Sequence, residues 1–454
     1  MGDFVTKGFF QRDALALMEA WRDEAGRKPL IVRGARQVGK SSLVRRFAQG
    51  YRRFAELNLE KRPHAELFRQ GLSVDQLVQA IQLERAVPPG SEPLLVFLDE
   101  IQEAPEAIAM LRYFHEDRSD VHVVAAGSLL EVGMDAAAIS FPVGRVQYLY
   151  LRPMSFREFL GAMNEDAARQ ALESIPVPEY AHDRLLSLFH QYILIGGMPE
   201  AVGAYVRSGS DLTVVNQVYA DLFATFRDDI QKYGRNETLR RALLHGLDST
   251  PFEAGSRISF NGFGGSGFRS REMGEALRTL ERAMLLELVY PTVSGCEPLL
   301  PDLKKSPRLQ FLDIGLVNHR AGLQRQLIGV RDLADIYRGR LVEQVVGQEL
   351  KTLTARDDIP LRFWVRDKAQ SQAEVDFLLQ TESGVIPVET KAGAAGKLRS
   401  LHEYIKRYCP VRAVRLYAGR YSRHEIIGGN TPCELVNIPY YAAVNIPRYL
   451  EMNV

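Results

Sequence analysis

The run Gly34-Ala35-Arg36-Gln37-Val38-Gly39-Lys40-Ser41 joins an apolar stretch, Leu30–Arg33, that reads as a buried strand to a segment, 42–49, that reads as a helix. Few sequence features constrain a fold more. The glycines allow backbone conformations closed to other residues, so the loop's N–H groups can turn inward onto an anion. The N-terminus of the following helix adds partial positive charge at the same place. This spacing expects Gly34, Ala35, Gln37, Val38, Gly39 and Ser42 to surround the phosphates of ATP, Lys40 to reach the terminal ones, and the Ser41 hydroxyl to ligate Mg2+. The alternative is an ordinary glycine turn with a solvated lysine.

Four more strand-like runs follow within the first 153 residues, at 54–59, 94–98, 122–126 and 146–151, with helix-like runs between them. Apolar strands alternating with helices predict a parallel sheet covered on both faces. The run Leu94-Leu95-Val96-Phe97-Leu98 ends in Asp99-Glu100. Two carboxylates there stand at the C-terminal edge of such a sheet, beside the loop. Asp99 is expected to hold Mg2+ through water, and Glu100 to orient and deprotonate the attacking water. The fourth strand ends in Gly127-Ser128, where Ser128 can sense the γ-phosphate. Arg145 is a candidate arginine finger, with a surface arginine as the alternative.

The rest of the composition excludes more than it assigns. With 454 residues the chain has room for about three domains. Its net charge is only +1, so affinity for nucleic acid has to come from a local patch. No apolar run is long enough to span a membrane. The N-terminus carries no basic-then-apolar leader pattern. Cys296, Cys409 and Cys433 are far apart, suit a reducing cytoplasm and form no metal-ligand pattern.

A second chemical constellation lies near the C-terminus. Residues 373–379 and 385–391 read as two strands joined by a turn at 381–384. With Glu382 and Ser383 as the central turn residues, Asp376 stands directly opposite Glu389, and Glu374 opposite Lys391. Opposite side chains share a face, with Cβ atoms about 4.5–5.5 Å apart. Shifting the register by one would put Glu389 among Val375 and Phe377, mixing charge with core. Two facing carboxylates repel unless a cation lies between them, so Asp376 and Glu389 are candidate ligands for Mg2+, or Mn2+. Glu343, on the preceding helix at 341–350, can complete the shell. In that reading Asp376, Glu389 and Lys391 are catalytic, Lys391 positioning or activating a water. The alternative is a hairpin with cross-strand ion pairs.

From Lys391 to Arg423 there are nine basic residues and one acid, Glu403. Lys397, Arg399, Lys406, Arg407, Arg412 and Arg415, interleaved with Tyr404, Tyr408, Tyr417 and Tyr421, make phosphate backbone the simplest partner. Upstream, a helix at 271–283, a strand at 285–290 and a turn through Gly295 to Lys305 trace a winged-helix outline. Its exposed charges are mixed, which suits packing better than groove reading. The glycines at 262, 264, 265 and 267 read as a mobile loop.

Several of these motifs carry a family resemblance. The segments 31–41, Phe97-Leu98-Asp99-Glu100-Ile101-Gln102, Leu151-Arg152-Pro153-Met154-Ser155-Phe156-Arg157-Glu158-Phe159, Gly196-Gly197-Met198-Pro199-Glu200 and Phe311-Leu312-Asp313-Ile314-Gly315-Leu316 resemble, in order, AAA-type ATPases of the AAA_14 kind that carry a C-terminal DUF4143 domain. The resemblance implies an α/β chain with a P-loop AAA+ parallel-sheet core at 1–153 and a helical lid at 154–235. It implies a winged-helix segment at 236–325 and a PD-(D/E)xK nuclease-like α/β domain at 326–454. Thr390 departs from that nuclease pattern, which usually has an aliphatic residue there. The expected activity is an Mg2+-dependent ATPase that couples ATP hydrolysis to binding, remodelling or cleaving DNA, branched DNA included. Subunits of such ATPases often assemble, so a homo-oligomer is expected. An ATP-dependent switch or scaffold for a protein partner, with an inert nuclease-like domain, is the alternative; an NTPase acting on RNA is a third.

Overall fold

Strands that are apolar along their whole length form only where both faces are covered, and the sheet of the N-terminal unit meets that condition. The computed structural model describes residues 10–127, 144–323, 340–366, 373–382, 384–393, 396–428 and 431–452. Ser128, Ser383 and the expected boundary near 325 lie outside the described residues. The chain divides into two compact units. The first comprises residues 1–153 with 282–284 and 354–358; the second comprises 154–281, 285–353 and 359–454.

In the first unit, β1 (Leu30–Arg33), β2 (Arg53–Asn58), β3 (Leu94–Asp99), β4 (Val121–Ala126) and β5 (Gln147–Tyr150) form one parallel sheet in the order β2-β3-β4-β1-β5. Every residue of β3 and β4 is buried. The helices are α1 (Ala14–Arg22), α2 (Lys40–Ala48), α3 (Arg62–Arg69), α4 (Val74–Glu84) and α5 (Pro105–Asp117). Side chains alternate across the sheet. Ile31, Val96, Leu98, Val123 and Ala125 pack with Phe68, Leu77, Ile81, Ile108 and Leu111 of α3, α4 and α5. The helix α2 packs on β3 and β4. Ser73 and Gln76 close a reciprocal cap that starts α4.

The second unit takes most of the chain beyond residue 153. Its first helices are α6 (Phe156–Ala162), α7 (Asp166–Glu173), α8 (His182–Ile195), α9 (Pro199–Arg207), α10 (Leu212–Tyr233) and α11 (Glu237–Ser249). They are followed by α12 (Ser270–Arg282), the antiparallel pair β6 (Leu286–Val289) and β8 (Arg308–Phe311), and α13 (Ile314–Ala321). Between β6 and β8, β7 (Pro291–Thr292) joins β9 (Phe363–Val365) and β10 (Glu374–Val375) in a separate sheet. In the glycine-rich stretch, Gly262, Gly264, Gly265 and Gly267 are exposed. Phe263 is buried there, and its carbonyl oxygen lies 2.9 Å from His245 Nε2.

Several of the short motifs turn out to build one buried polar hub in this unit. Asp313 accepts hydrogen bonds from the N–H of Gly197 (2.7 Å), Gly315 (3.0 Å) and Leu316 (3.2 Å), and from Tyr219 Oη (3.2 Å). Burial raises the Asp313 carboxyl's pKa, and these donors oppose the shift. A Cβ at Gly197 would lie 2.2 Å from the Met154 carbonyl oxygen, so only glycine fits. Ser155 and Glu158 form a capping box at the start of α6. Glu349 accepts from Phe156 N–H at 3.0 Å and from Tyr192 Oη at 2.8 Å. These residues hold helices together.

The C-terminal part adds α14 (Arg340–Thr352), α15 (Arg399–Tyr408), α16 (Ile446–Glu451) and a five-stranded sheet. That sheet has the order β11-β12-β13-β15-β14, from β11 (Phe377–Thr381), β12 (Gly384–Thr390), β13 (Arg412–Tyr417), β14 (Ser422–Gly428) and β15 (Thr431–Pro439). The expected hairpin register holds from Phe377↔Val388 to Thr381↔Gly384. It stops at Asp376. Glu374 pairs instead with Val365 of β9, in the other sheet, so it does not stand opposite Lys391. The strand β9 likewise lies outside the five-stranded sheet. No helix among the described residues is long and apolar enough to cross a membrane.

Candidate functional site

The loop after β1 leaves the sheet at the same edge as the end of β3. Parallel pairing aligns Val32 with Ala126 and Asp99 with Ala126, so Val32 and Asp99 sit at one level on either side of β4, and the loop begins two residues beyond that level at Gly34. Gln37 (φ 64°) and Gly39 (φ 95°) take left-handed conformations that fold the loop over the start of α2. A Cβ at Gly34 would lie 2.4 Å from the Leu151 carbonyl oxygen, which fixes glycine there. Lys40 is buried, and its Nζ donates to the carbonyl oxygens of Gly34 and Ala35, both at 2.9 Å. Burial pulls its pKa down to about 8, against the opposing pull of Glu100 and Asp99.

Asp99 is buried, and burial raises its pKa; a hydrogen bond with the Ser41 side chain works the other way. Two hard oxygen donors, a hydroxyl and a carboxylate, therefore meet at the sheet edge, a set that suits Mg2+. Glu100 follows in a left-handed conformation (φ 52°) that is costly for a residue with a Cβ. Its Oε2 accepts from Gln102 Nε2 at 2.7 Å. That conformation follows the end of β3, and the Glu100 carboxylate lies close enough to act on Lys40.

Arg145 does not belong to this cluster. It precedes β5, whose first residue pairs with Leu30 at the start of β1, so it lies at the sheet edge opposite the loop. There it makes an ion pair with Glu116 at 2.7 Å. The pattern of a lone arginine after a glycine carries no information about which edge it occupies. No local pattern pointed to Arg12. Its Nη1 donates to Val38 O at 2.8 Å and its Nη2 to Arg152 O at 2.6 Å. It braces the loop from behind.

The carboxylates expected near the C-terminus do converge, but around an arginine. Arg308 on β8 is buried, 3% exposed. Its Nη1 lies 3.0 Å from Glu343 Oε2 and donates to the Asp376 carbonyl at 3.0 Å. Its Nη2 pairs with Glu374 and lies 3.9 Å from Asp376 Oδ1. Asp376 Oδ2 accepts from Thr390 N–H and from Thr390 Oγ1, each at 2.7 Å. Lys391 Nζ lies 2.6 Å from Glu389 Oε1. Burial, with Asp376 nearby, pushes Glu343 up to about 8 and Glu389 up to about 7. Among the described residues no group of three or more His, Cys, Asp or Glu is placed to hold a metal ion. The expected metal set Glu343, Asp376 and Glu389 is thus assembled in space but engaged with protein cations and donors. Arg308-Leu309-Gln310-Phe311 alternates polar and apolar residues, yet all four are buried, so periodicity does not show that the arginine points inward.

The basic patch divides. Arg412 and Arg423 both pair with Glu434, at 2.9 Å each, and Lys391 with Glu389. Arg415 stacks over Tyr417, 4.4 Å from the ring centre. Lys397, Arg399, Lys406 and Arg407 are exposed. The last three lie on the solvent side of α15, whose other side buries Leu401, Tyr404 and Ile405.

Comparison with known families gives three matches: an AAA domain over residues 26–160, a domain of unknown function, DUF8612, over 186–327, and a second, DUF4143, over 338–436. A comparison with curated proteins finds no match. Among solved structures, a Walker-type ATPase of Pyrococcus abyssi is 14% identical, with 69% of this chain and 96% of that chain covered and a TM-score of 0.44. The Aeropyrum pernix Orc1 protein in complex with DNA is 14% identical, covering 71% and 95%, with a TM-score of 0.31. The Thermotoga maritima RuvB Holliday junction branch migration motor is 15% identical, covering 64% and 90%, with a TM-score of 0.25. TM-scores this low do not establish a shared overall architecture.

Proposed function

We propose that the chain, whose residues 26–160 match an AAA domain and residues 338–436 a DUF4143 domain, is an ATPase that binds DNA through α15. The observation that carries the ATPase reading is the meeting of Lys40, the Ser41–Asp99 pair and Glu100 at one sheet edge. Lys40 exchanges its loop carbonyls for the terminal phosphates, where opposite charge favours its protonated form. The loop N–H groups and the start of α2 hold the remaining phosphate oxygens. Ser41 and Asp99 would hold Mg2+, which supplies charge neutralisation on the phosphates. Glu100 takes the proton of the attacking water, and Gln102 orients it.

The DNA reading rests on four exposed cations, Lys397, Arg399, Lys406 and Arg407, in a chain of net charge +1. Their neighbours Arg412, Arg423 and Lys391 are neutralised within the unit, so they add little to an external field. ATP turnover measured with no nucleic acid, single strands, duplexes, four-way junctions and RNA tests both halves. Glu100→Gln is expected to keep nucleotide binding while turnover falls at least about 100-fold. Lys40→Ala is expected to lose binding. A wild-type protein without nucleotide affinity in calorimetry refutes the ATPase reading. Turnover that ignores every nucleic acid, with no salt-sensitive binding, refutes the DNA reading and favours a switch acting on a protein partner.

A further inference from the structure

The geometry points to Arg308 as the permanent cation of the C-terminal carboxylate cluster, standing where a divalent metal would have to lie, so that this domain does not perform metal-dependent phosphodiester cleavage. The inference is independent of the ATPase reading, because every residue it uses lies in the second unit. Glu343, Glu374, Asp376 and Glu389 are the hard oxygen donors that Mg2+ or Mn2+ prefers. Their free positions are the question. Arg308 takes one Glu343 oxygen at 3.0 Å, pairs with Glu374, and lies 3.9 Å from Asp376 Oδ1. The other Asp376 oxygen is filled by the Thr390 N–H and hydroxyl, at 2.7 Å each. Lys391 occupies one Glu389 oxygen at 2.6 Å. Glu389 Oε2 is buried and without a hydrogen-bond partner. Each of the four carboxylates nevertheless has at least one oxygen turned to Arg308, Lys391 or Thr390.

Arg308 is also poorly placed to leave. It sits within the β6–β8 ladder, opposite Val289. Its guanidinium lies 4.6 Å from the Phe363 ring centre and 5.9 Å from that of Phe377. Such faces attract a cation and exclude water. Arg257 supports the same arrangement from the outside, 3.6 Å from the second Glu374 oxygen. A guanidinium does not deprotonate in proteins, so it cannot yield its place by losing charge. A divalent ion bridging Glu343 and Asp376 would lie within a few ångströms of that charge, in a setting where repulsion is little screened. The carboxylates and the three basic side chains thus form a charge network on β8, β10, β12 and α14.

Manganese binding decides the matter. The full chain, nucleotide-free and stripped with EDTA, is titrated with MnCl2 while free Mn2+ is followed by electron paramagnetic resonance. The expected result is that wild type, Asp376→Asn and Glu389→Gln give the same isotherm. A Mn2+ ion bound by wild type and lost in Asp376→Asn overturns the proposal. So does nicking of a four-way junction with Mg2+ or Mn2+ that disappears in Asp376→Asn. Arg308→Gln, if it folds, is expected to gain a Mn2+ site at the freed carboxylates and to melt several degrees higher with Mn2+ present. An Arg308→Gln chain that folds and gains no such site counts against the guanidinium as the obstacle. If that variant does not fold, the wild-type and Asp376→Asn isotherms still decide.

Discussion

Arg12 reaches the phosphate loop with two charged donors, one to Val38 O and one to Arg152 O. A loop that turns its N–H groups inward must turn carbonyls outward, and Arg12 satisfies one of them. Hydrogen bonds to charged groups contribute about 1.5–3 kcal/mol each. Arg12→Met is therefore expected to weaken ATP affinity by about tenfold, or about 1.4 kcal/mol, with kcat less affected. Arg12→Lys should recover part of the loss. Calorimetric titration beside steady-state turnover checks this; unchanged affinity in a merely less stable variant would reduce Arg12 to a packing residue. His122 makes a second single-residue test. It is 7% exposed, with Nδ1 2.7 Å from Tyr51 Oη. Burial, with Arg27 and Arg22, pulls its pKa from 6.5 down to about 4. The unfolded chain then binds the proton first, so stability falls as pH drops from 6.5 through about 4 and is unaffected above that window. The loss is at most about 3 kcal/mol. His122→Gln should flatten the pH dependence of thermal unfolding between pH 6.5 and 4; an equally steep curve would show that His122 is not its source.

At the scale of elements, α15 separates two jobs along one helix: Leu401, Tyr404 and Ile405 hold it to the sheet, while Arg399, Lys406 and Arg407 face outward. Each cation that neutralises a phosphate contributes a slope of about −0.9 to log K against log salt. Replacing Lys397, Arg399, Lys406 and Arg407 together by Gln is expected to flatten that slope by about 3 to 4 and to abolish measurable binding at physiological salt. Fluorescence anisotropy with a labelled junction measures it, and an unchanged slope would move the contact elsewhere. The break between β10 and β11 is the other lesson at this scale. Pairing across the turn was readable because a shift of one residue would put Glu389 among Val375 and Phe377. The departure of Glu374 into the β9 sheet was not, since alternation looks the same whether one strand or two follow each other.

At the scale of the whole molecule, two compact units predict two unfolding transitions in calorimetry. A nucleotide at about 100 times its Kd adds about 2.7 kcal/mol to the state that binds it. A non-hydrolysable ATP analogue should raise the transition assigned to the first unit and leave the other in place; one transition moving as a whole would mean the units unfold together. What the sequence determined alone was local. The strand–loop–helix around Gly34 to Ser41, the acidic end of β3 and the hairpin from Phe377 to Val388 follow from short-range rules: glycine conformations, apolar runs and period-two alternation. The tertiary structure decided everything that depends on which distant segments meet. It set Arg145 on the far edge of its sheet, brought Arg12 behind the loop, and placed Arg308 among carboxylates from three other elements. Charge in a buried site is settled by all the groups around it, and those groups are drawn from chain positions that no local pattern connects.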